Sequence, residues 1–215
     1  MTRYDKRVIA LAVCLSALAG YVDALGFLKL NGFFVSFMSG NSTRLAVGLA
    51  RRAPDAAMAA GLIVIFVVGV VLGSLTGHFA GAHRRPAVLG GVAVLLALAA
   101  GLNALGLARG AVIAMGLAMG AENAVFEEDG EVRIGLTYMT GTLVKVGQRL
   151  ATALRGGSPF AWASYLWLWV GLVAGGITGA VSYSYVGLGG LWVVAVIAAG
   201  LAIVSIGPFG PVRRR

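Results

Sequence analysis

Charge is scarce in this sequence. Only 12% of its 215 residues are Asp, Glu, Lys or Arg, about half the share of a soluble domain. A water-facing surface cannot be covered with so few charges, so an ordinary cytosolic protein is excluded. Cysteine is nearly absent too. The single Cys14 permits no internal disulfide, and its apolar surroundings suggest a thiol buried in a helix. Proline is rare, and Pro54, Pro86, Pro159 and Pro208 all fall at the ends of apolar runs, where they break no helical ladder. No Walker loop and no strand–turn–helix glycine fingerprint occurs, which argues against direct ATP use and dinucleotide binding. No Gly-x-Ser-x-Gly elbow occurs, so nucleophilic catalysis has no support and a non-enzyme is expected. His78 and His83 stand without clustered Cys or Asp, so neither a metal nor another cofactor is expected.

Apolar residues and glycine are abundant. Hydrophobic residues make up 59% and glycines number 33, with a mean hydropathy of +0.91. This is the composition of an all-α polytopic membrane protein whose helices pack backbone to backbone. The net charge of +9 comes in short clusters: Arg3/Lys6/Arg7, Arg51/Arg52, Arg84/Arg85 and Arg213/Arg214/Arg215. Clusters at the ends of apolar runs are topology signals and lipid-headgroup contacts. No aromatic-rich basic motif points to nucleic acid.

A spanning helix needs about 20 mostly apolar residues. Six runs reach or approach this: 8–30, 57–79, 87–107, 110–126, 160–183 and 186–206. Two shorter, more polar runs cover 33–50 and 135–154. The first run resembles a signal peptide, with a basic start and Ala17-Leu18-Ala19 as a cleavage-like site. Its apolar character continues to Leu30 and it has a later counterpart, so it reads as a membrane helix.

That counterpart belongs to an internal duplication. Met38-Ser39-Gly40-Asn41-Ser42-Thr43-Arg44-Leu45 reappears at an offset of 101 as Met139-Thr140-Gly141-Thr142-Leu143-Val144-Lys145-Val146. Gly69-x-x-x-Gly73-x-x-Thr76-Gly77 reappears at offset 102 as Gly171-x-x-x-Gly175-x-x-Thr178-Gly179. Gly20-Tyr21-Val22-Asp23-Ala24 faces Gly120-Ala121-Glu122-Asn123-Ala124 at offset 100. The repeated unit is long helix, short polar segment, long helix, long helix. Two units cover 1–107 and 108–215 and supply six long membrane segments plus two short or broken ones. Many transporters are built from such repeats. If each short segment crosses the membrane there are eight crossings and the units are parallel; if each is re-entrant there are six and the units are inverted. Both short segments are followed by basic residues, Arg51/Arg52 and Arg155, which favours eight. Either arrangement puts both termini in the cytoplasm.

An ionisable residue inside a span is a functional candidate by default. Asp23 lies within the first run, and Glu122 with Asn123 near the end of the fourth. These three are the candidates for proton coupling or internal ion pairing. The short segments start with β-branched and aromatic residues. Ser39-Gly40-Asn41 and Thr140-Gly141-Thr142 then supply good N-cap residues. An extended stretch followed by a helix start leaves N–H groups open inside the protein, and these attract an anion. Gly40, Asn41, Arg44, Gly141, Thr142 and Lys145 are therefore the candidate substrate-binding residues. The bland alternative pairs Arg44 with Asp23 and Lys145 with Glu122, binding nothing. The glycine stripes read as packing surfaces, Thr76 and Thr178 as bonded to their own helices, and the acidic run 127–131 as a solvated loop.

At these residues the sequence resembles the YoaK-like family of bacterial membrane proteins, the domain-of-unknown-function 1275 family. The resemblance is carried by Gly20-Tyr21-Val22-Asp23-Ala24-Leu25-Gly26-Phe27 and Phe37-Met38-Ser39-Gly40-Asn41. In the second half it is carried by Gly120-x-x-Asn123-Ala124 and Thr137-Tyr138-Met139-Thr140-Gly141-Thr142-Leu143. It implies a polytopic protein of the bacterial inner membrane and supplies neither substrate nor catalytic residues. Glutamine is usual in that family where Glu122 stands here. The expected function is a small secondary transporter or channel-like permease, its site at the repeat junction, with the bilayer as partner and a homodimer compatible with so short a chain. A membrane scaffold or partner subunit and an intramembrane lipid-modifying enzyme are the alternatives.

Overall fold

The computed structural model describes residues 5–128 and 130–207. Arg3, Asp129, Pro208 and Arg213 to Arg215 lie outside them. The protein is an all-α membrane protein, and the described residues form eight helices in the expected runs: α1 Lys6–Lys29, α2 Met38–Arg51, α3 Asp55–Ala80, α4 Arg84–Ala104, α5 Ala108–Glu122, α6 Met139–Leu154, α7 Ala163–Val186 and α8 Leu191–Val204. Among the described residues, three helical stretches are long and apolar enough to cross a membrane: Lys6–Lys29, Asp55–Ala104 and Ala163–Val204. Helix length alone does not separate long segments from short ones. α5 has 15 residues and α8 has 14, against 14 for α2 and 16 for α6. Short 3-10 turns, Asn123–Phe126 and Gly187–Gly190, extend α5 and precede α8.

Glycine fixes how the helices pair. A Cβ on Gly171, Gly175 or Gly179 of α7 would run into the carbonyl oxygens of Val13, Ala17 and Tyr21 of α1. The two helices therefore lie parallel with backbones in contact, as small residues allow. Gly69 and Gly73 of α3 meet the carbonyls of Leu117 and Ala121 of α5 in the same manner. Thr76 and Thr178 bond back to their own helices, to Leu72 O at 2.8 Å and Ala174 O at 3.0 Å.

These contacts set chain direction. The start of α1 shares a core cluster with the start of α4, the end of α5 and the end of α8, through Val8, Val88, Phe126 and Ala202. The end of α1 meets the starts of α3 and α5, where Lys29, Pro54 and Ala108 line one groove. The bundle thus has an N-terminal face and an opposite face. α1 and α7 run from the first to the second, and α3, α5 and α8 run back. The outer sides of α3 and α8 expose Val64, Val67, Val71, Val193, Val196 and Ile203, an apolar belt too large for a water-soluble monomer.

Two expectations are corrected. Cys14 lies in α1 but is exposed rather than buried, because its side faces away from the core. The acidic run is no plain loop: Glu127–Glu128 and Glu131–Val132 form a two-stranded antiparallel hairpin. Glu127 there accepts from Ser74 Oγ and pairs with Arg84 at 3.4 Å.

Candidate functional site

The segments before α2 and α6 turn back into the bundle. Asp23 lies six residues before the end of α1, about 9 Å below that end at 1.5 Å per residue. Its Oδ1 accepts the amides of Val35 and Ser36, both at 2.8 Å. In the second half, Thr137 Oγ1 donates to Asn123 Oδ1 at 3.2 Å. Ser16, midway along α1, donates to the carbonyls of Leu136 at 3.4 Å and Leu168 at 2.9 Å. Both extended segments are therefore held inside the bundle by side chains of α1 and of the turn after α5, and α2 and α6 begin at the level of Phe66, midway along α3.

Neither helix start has the expected cap. The N-cap positions hold Phe37 and Tyr138, whose side chains make no capping bond. Ser39 and Thr140 sit one turn-position too late, inside the first turn. Gly40 and Asn41 amides bond to Phe37 O, and the Thr142 amide to Tyr138 O at 3.0 Å. The amides of Ser39, Thr140 and Gly141 have no acceptor among the described residues. A helix leaves its leading donors open unless something caps them. These donors flank a cavity of about 260 Å³ lined by Ser36 to Ser39, Phe66, and Thr137 to Gly141. Two Met-[Ser/Thr]-Gly turns from distant parts of the chain thus meet at one place.

The candidate residues divide into two groups here. Gly141 lines the cavity. Gly40 packs beneath Phe34 and Phe37. Asn41 is fully buried and clamps the preceding loop, accepting from Phe34 N at 3.1 Å and donating to Phe34 O at 2.7 Å. Thr142 is buried too. Arg44 lies 4.5 Å over the Phe33 ring, and Lys145 is 5.7 Å from the Tyr165 ring centre. Neither cation forms an ion pair among the described residues, so the Arg44–Asp23 and Lys145–Glu122 locks are not made. Asn123 donates back to Met119 O at 3.0 Å. Phe66, from mid-α3, gave no signal in the sequence, since an apolar residue in an apolar run looks like every other.

Glu122 stands apart. It is wholly buried, and both carboxyl oxygens lack a hydrogen-bond partner among the described residues. Its position on α5 shares a face with Met115, Ala118 and Met119, all fully buried. An unsatisfied buried polar group costs about 1–3 kcal/mol. The expected result is that Glu122→Met raises the melting temperature of the purified protein. A fall of several degrees would mean that the carboxyl has a partner which a methionine cannot replace.

The fold and the cavity together define a helical, multi-pass transmembrane protein with a polar turn pair at its centre. The chain belongs to the family described as "Protein of unknown function (DUF1275)", whose model matches residues 11–204. It is similar to the UPF0700 transmembrane protein RA0705 of Rhizobium meliloti (strain 1021), with 39% identity over 190 residues, 88% of this chain and 82% of that protein. No solved structure matches it.

Proposed function

We propose that the protein is a small secondary transporter or channel-like permease that holds a small solute between the N-termini of α2 and α6. The observation that carries this reading is the meeting of two uncapped helix starts at one 260 Å³ cavity. Each N-terminus carries about half a positive charge, so two facing ends sum to roughly one. With the free amides of Ser39, Thr140 and Gly141, this favours a small anion or carboxylate. The space equals roughly eight waters at 30 Å³ each. Arg44 and Lys145 stand behind the turns and raise the local potential. Asp23 and Asn123 hold the turns in place, and Glu122 is the group left over to carry a coupling proton.

The architecture we infer is two inverted units, 1–107 and 108–215, with six crossings by α1, α3, α4, α5, α7 and α8. Eight crossings fit poorly, because α2 starts at mid-depth and returns to the face where α1 ended. Inverted repeats whose half-helices meet at the midplane are a common transporter plan. An offset of 106 for the third helices fits better than 102. Gly81 and Gly187, each with φ 54°, then coincide as their closing residues, and the Gly69/Gly73 contacts match those of Gly175/Gly179. Glycine at every fourth position hides a one-turn slip from sequence comparison. Lys6, Arg7, Arg84, Arg85, Arg133 and Arg155 belong to the N-terminal face, which supports its placement in the cytoplasm of a bacterial inner membrane.

The test is water access. In a Cys14→Ala background, Ser39→Cys and Thr140→Cys are each expected to react in membranes with a charged thiol reagent, and small anions to slow that reaction. A dry scaffold leaves both unlabelled, and that result overturns the permease. An intramembrane lipid-modifying enzyme is the second reading. It is favoured by one observation, an apolar groove lined by Gly20, Asp23, Phe27, Phe34 and Leu172 that brings the Asp23 side chain to the outer side of α1 and α7.

A further inference from the structure

We infer that the groove between α1, α3 and α5 on the opposite face is a binding site for one anionic phospholipid. The groove has a volume of about 510 Å³ and lies where three helix ends converge. Its walls are apolar, from Ala57, Met58, Leu62, Ile65, Val112 and Ile113. It follows α3 from Pro54 to Ile65, about 16 Å at 1.5 Å per residue. That is half of a hydrocarbon core of about 30 Å, the depth of one leaflet. An acyl chain fits that length, and a polar ligand gains nothing from those walls.

The headgroup preference comes from the mouth. Lys29, at the last position of α1, and Arg109, near the start of α5, both line the groove. Neither has an ion pair or hydrogen-bonded carboxylate among the described residues. No acidic side chain lines the groove. Two unpaired cations at the level where phosphates lie select an anionic headgroup over a zwitterionic one. Gly61 lies in the groove wall, and a Cβ there would meet nothing within 4 Å. The protein has therefore left space where a side chain could have filled it.

The experiment uses the full chain in detergent, with phosphatidylglycerol or phosphatidylcholine added. Phosphatidylglycerol is expected to raise the melting temperature more than phosphatidylcholine. The double variant Lys29→Gln/Arg109→Gln is expected to weaken phosphatidylglycerol binding about 30-fold, at about 1 kcal/mol per cation. Gly61→Phe, which plugs the groove and leaves both cations in place, is expected to abolish the preference. Counting bound lipids by native mass spectrometry gives the same comparison without melting. Equal effects of the two lipids overturn the proposal, and so does an undiminished preference in the double variant. A phosphatidylglycerol effect matched by inorganic phosphate overturns the acyl-chain part. Dimerisation that is lost in Gly61→Phe assigns the groove to a second copy and overturns it as well. None of these outcomes depends on transport, so the permease reading stands or falls separately.

Discussion

Gly175→Ala is expected to destroy the folded protein, while Gly176→Ala, one residue on, is expected to leave it intact. A Cβ on Gly175 would overlap the carbonyl oxygen of Ala17 and lie 2.8 Å from its Cα. The obstacle is backbone in the middle of a 24-residue helix, which cannot swing aside as a side chain would. α1 and α7 must then separate along the longest interface in the bundle. Overpacking typically costs 1–3 kcal/mol, and more where the neighbour cannot yield. A Cβ on Gly176 would sit 3.8 Å from Gly20 O, an ordinary contact. There the gain in helix propensity, about 1 kcal/mol, goes unopposed. Size-exclusion profiles and melting in detergent distinguish the pair. Equal stability of the two variants would show that α1 and α7 do not touch through Gly175.

The second large effect is expected at Asp23. Asp23→Ala strips the acceptor from the amides of Val35 and Ser36. Each unpaired buried donor costs about 1–3 kcal/mol, so for two donors a loss of roughly 2–6 kcal/mol is expected. Asp23→Asn keeps an acceptor oxygen in place and is expected to retain most of the stability. Asn41→Ala should act similarly, because Asn41 holds both backbone groups of Phe34. The double variant Asp23→Ala/Asn41→Ala is expected to lose less than the sum, since both residues fasten one loop. Additive losses would mean that the two ends of that loop fold independently. Asp23→Asn also separates two roles. If it folds but solute no longer stabilises it in a pH-dependent way, Asp23 carries the proton as well as the loop. If the pH dependence persists, that duty falls to Glu122.

Much of this was legible in the residues. Apolar runs give helix positions to within a few residues, because lipid demands unbroken apolar stretches. The matched Met-[Ser/Thr]-Gly turns located the centre of the molecule, because small polar residues have little reason to occur twice at one spacing inside apolar runs. The glycine stripes announced backbone contact, and Gly69, Gly73, Gly171, Gly175 and Gly179 make it. The roles within the turns were less legible. Asn41 read as a ligand-binding residue, and its side-chain bonds go to the loop, at Phe34 N and O. Ser39 read as a cap and stands inside the helix, leaving the cap position to Phe37. Capping depends on where the backbone turns, and that is set by Asp23 reaching across from α1, a contact 12 residues distant.

Composition and periodicity by themselves determined that this chain is a bundle of membrane helices with two polar interruptions, since the solvent properties of lipid act on each segment locally. Only the tertiary structure decided which helix lies against which, that the two interruptions share one cavity, and that Arg44 and Asp23 stay apart. Those outcomes depend on distances between residues well separated along the chain, from 21 positions for Asp23 and Arg44 to 158 for Ala17 and Gly175. No local pattern encodes them, because apolar helices in lipid have many partners of equal greasiness and choose among them by the fit of glycine against backbone.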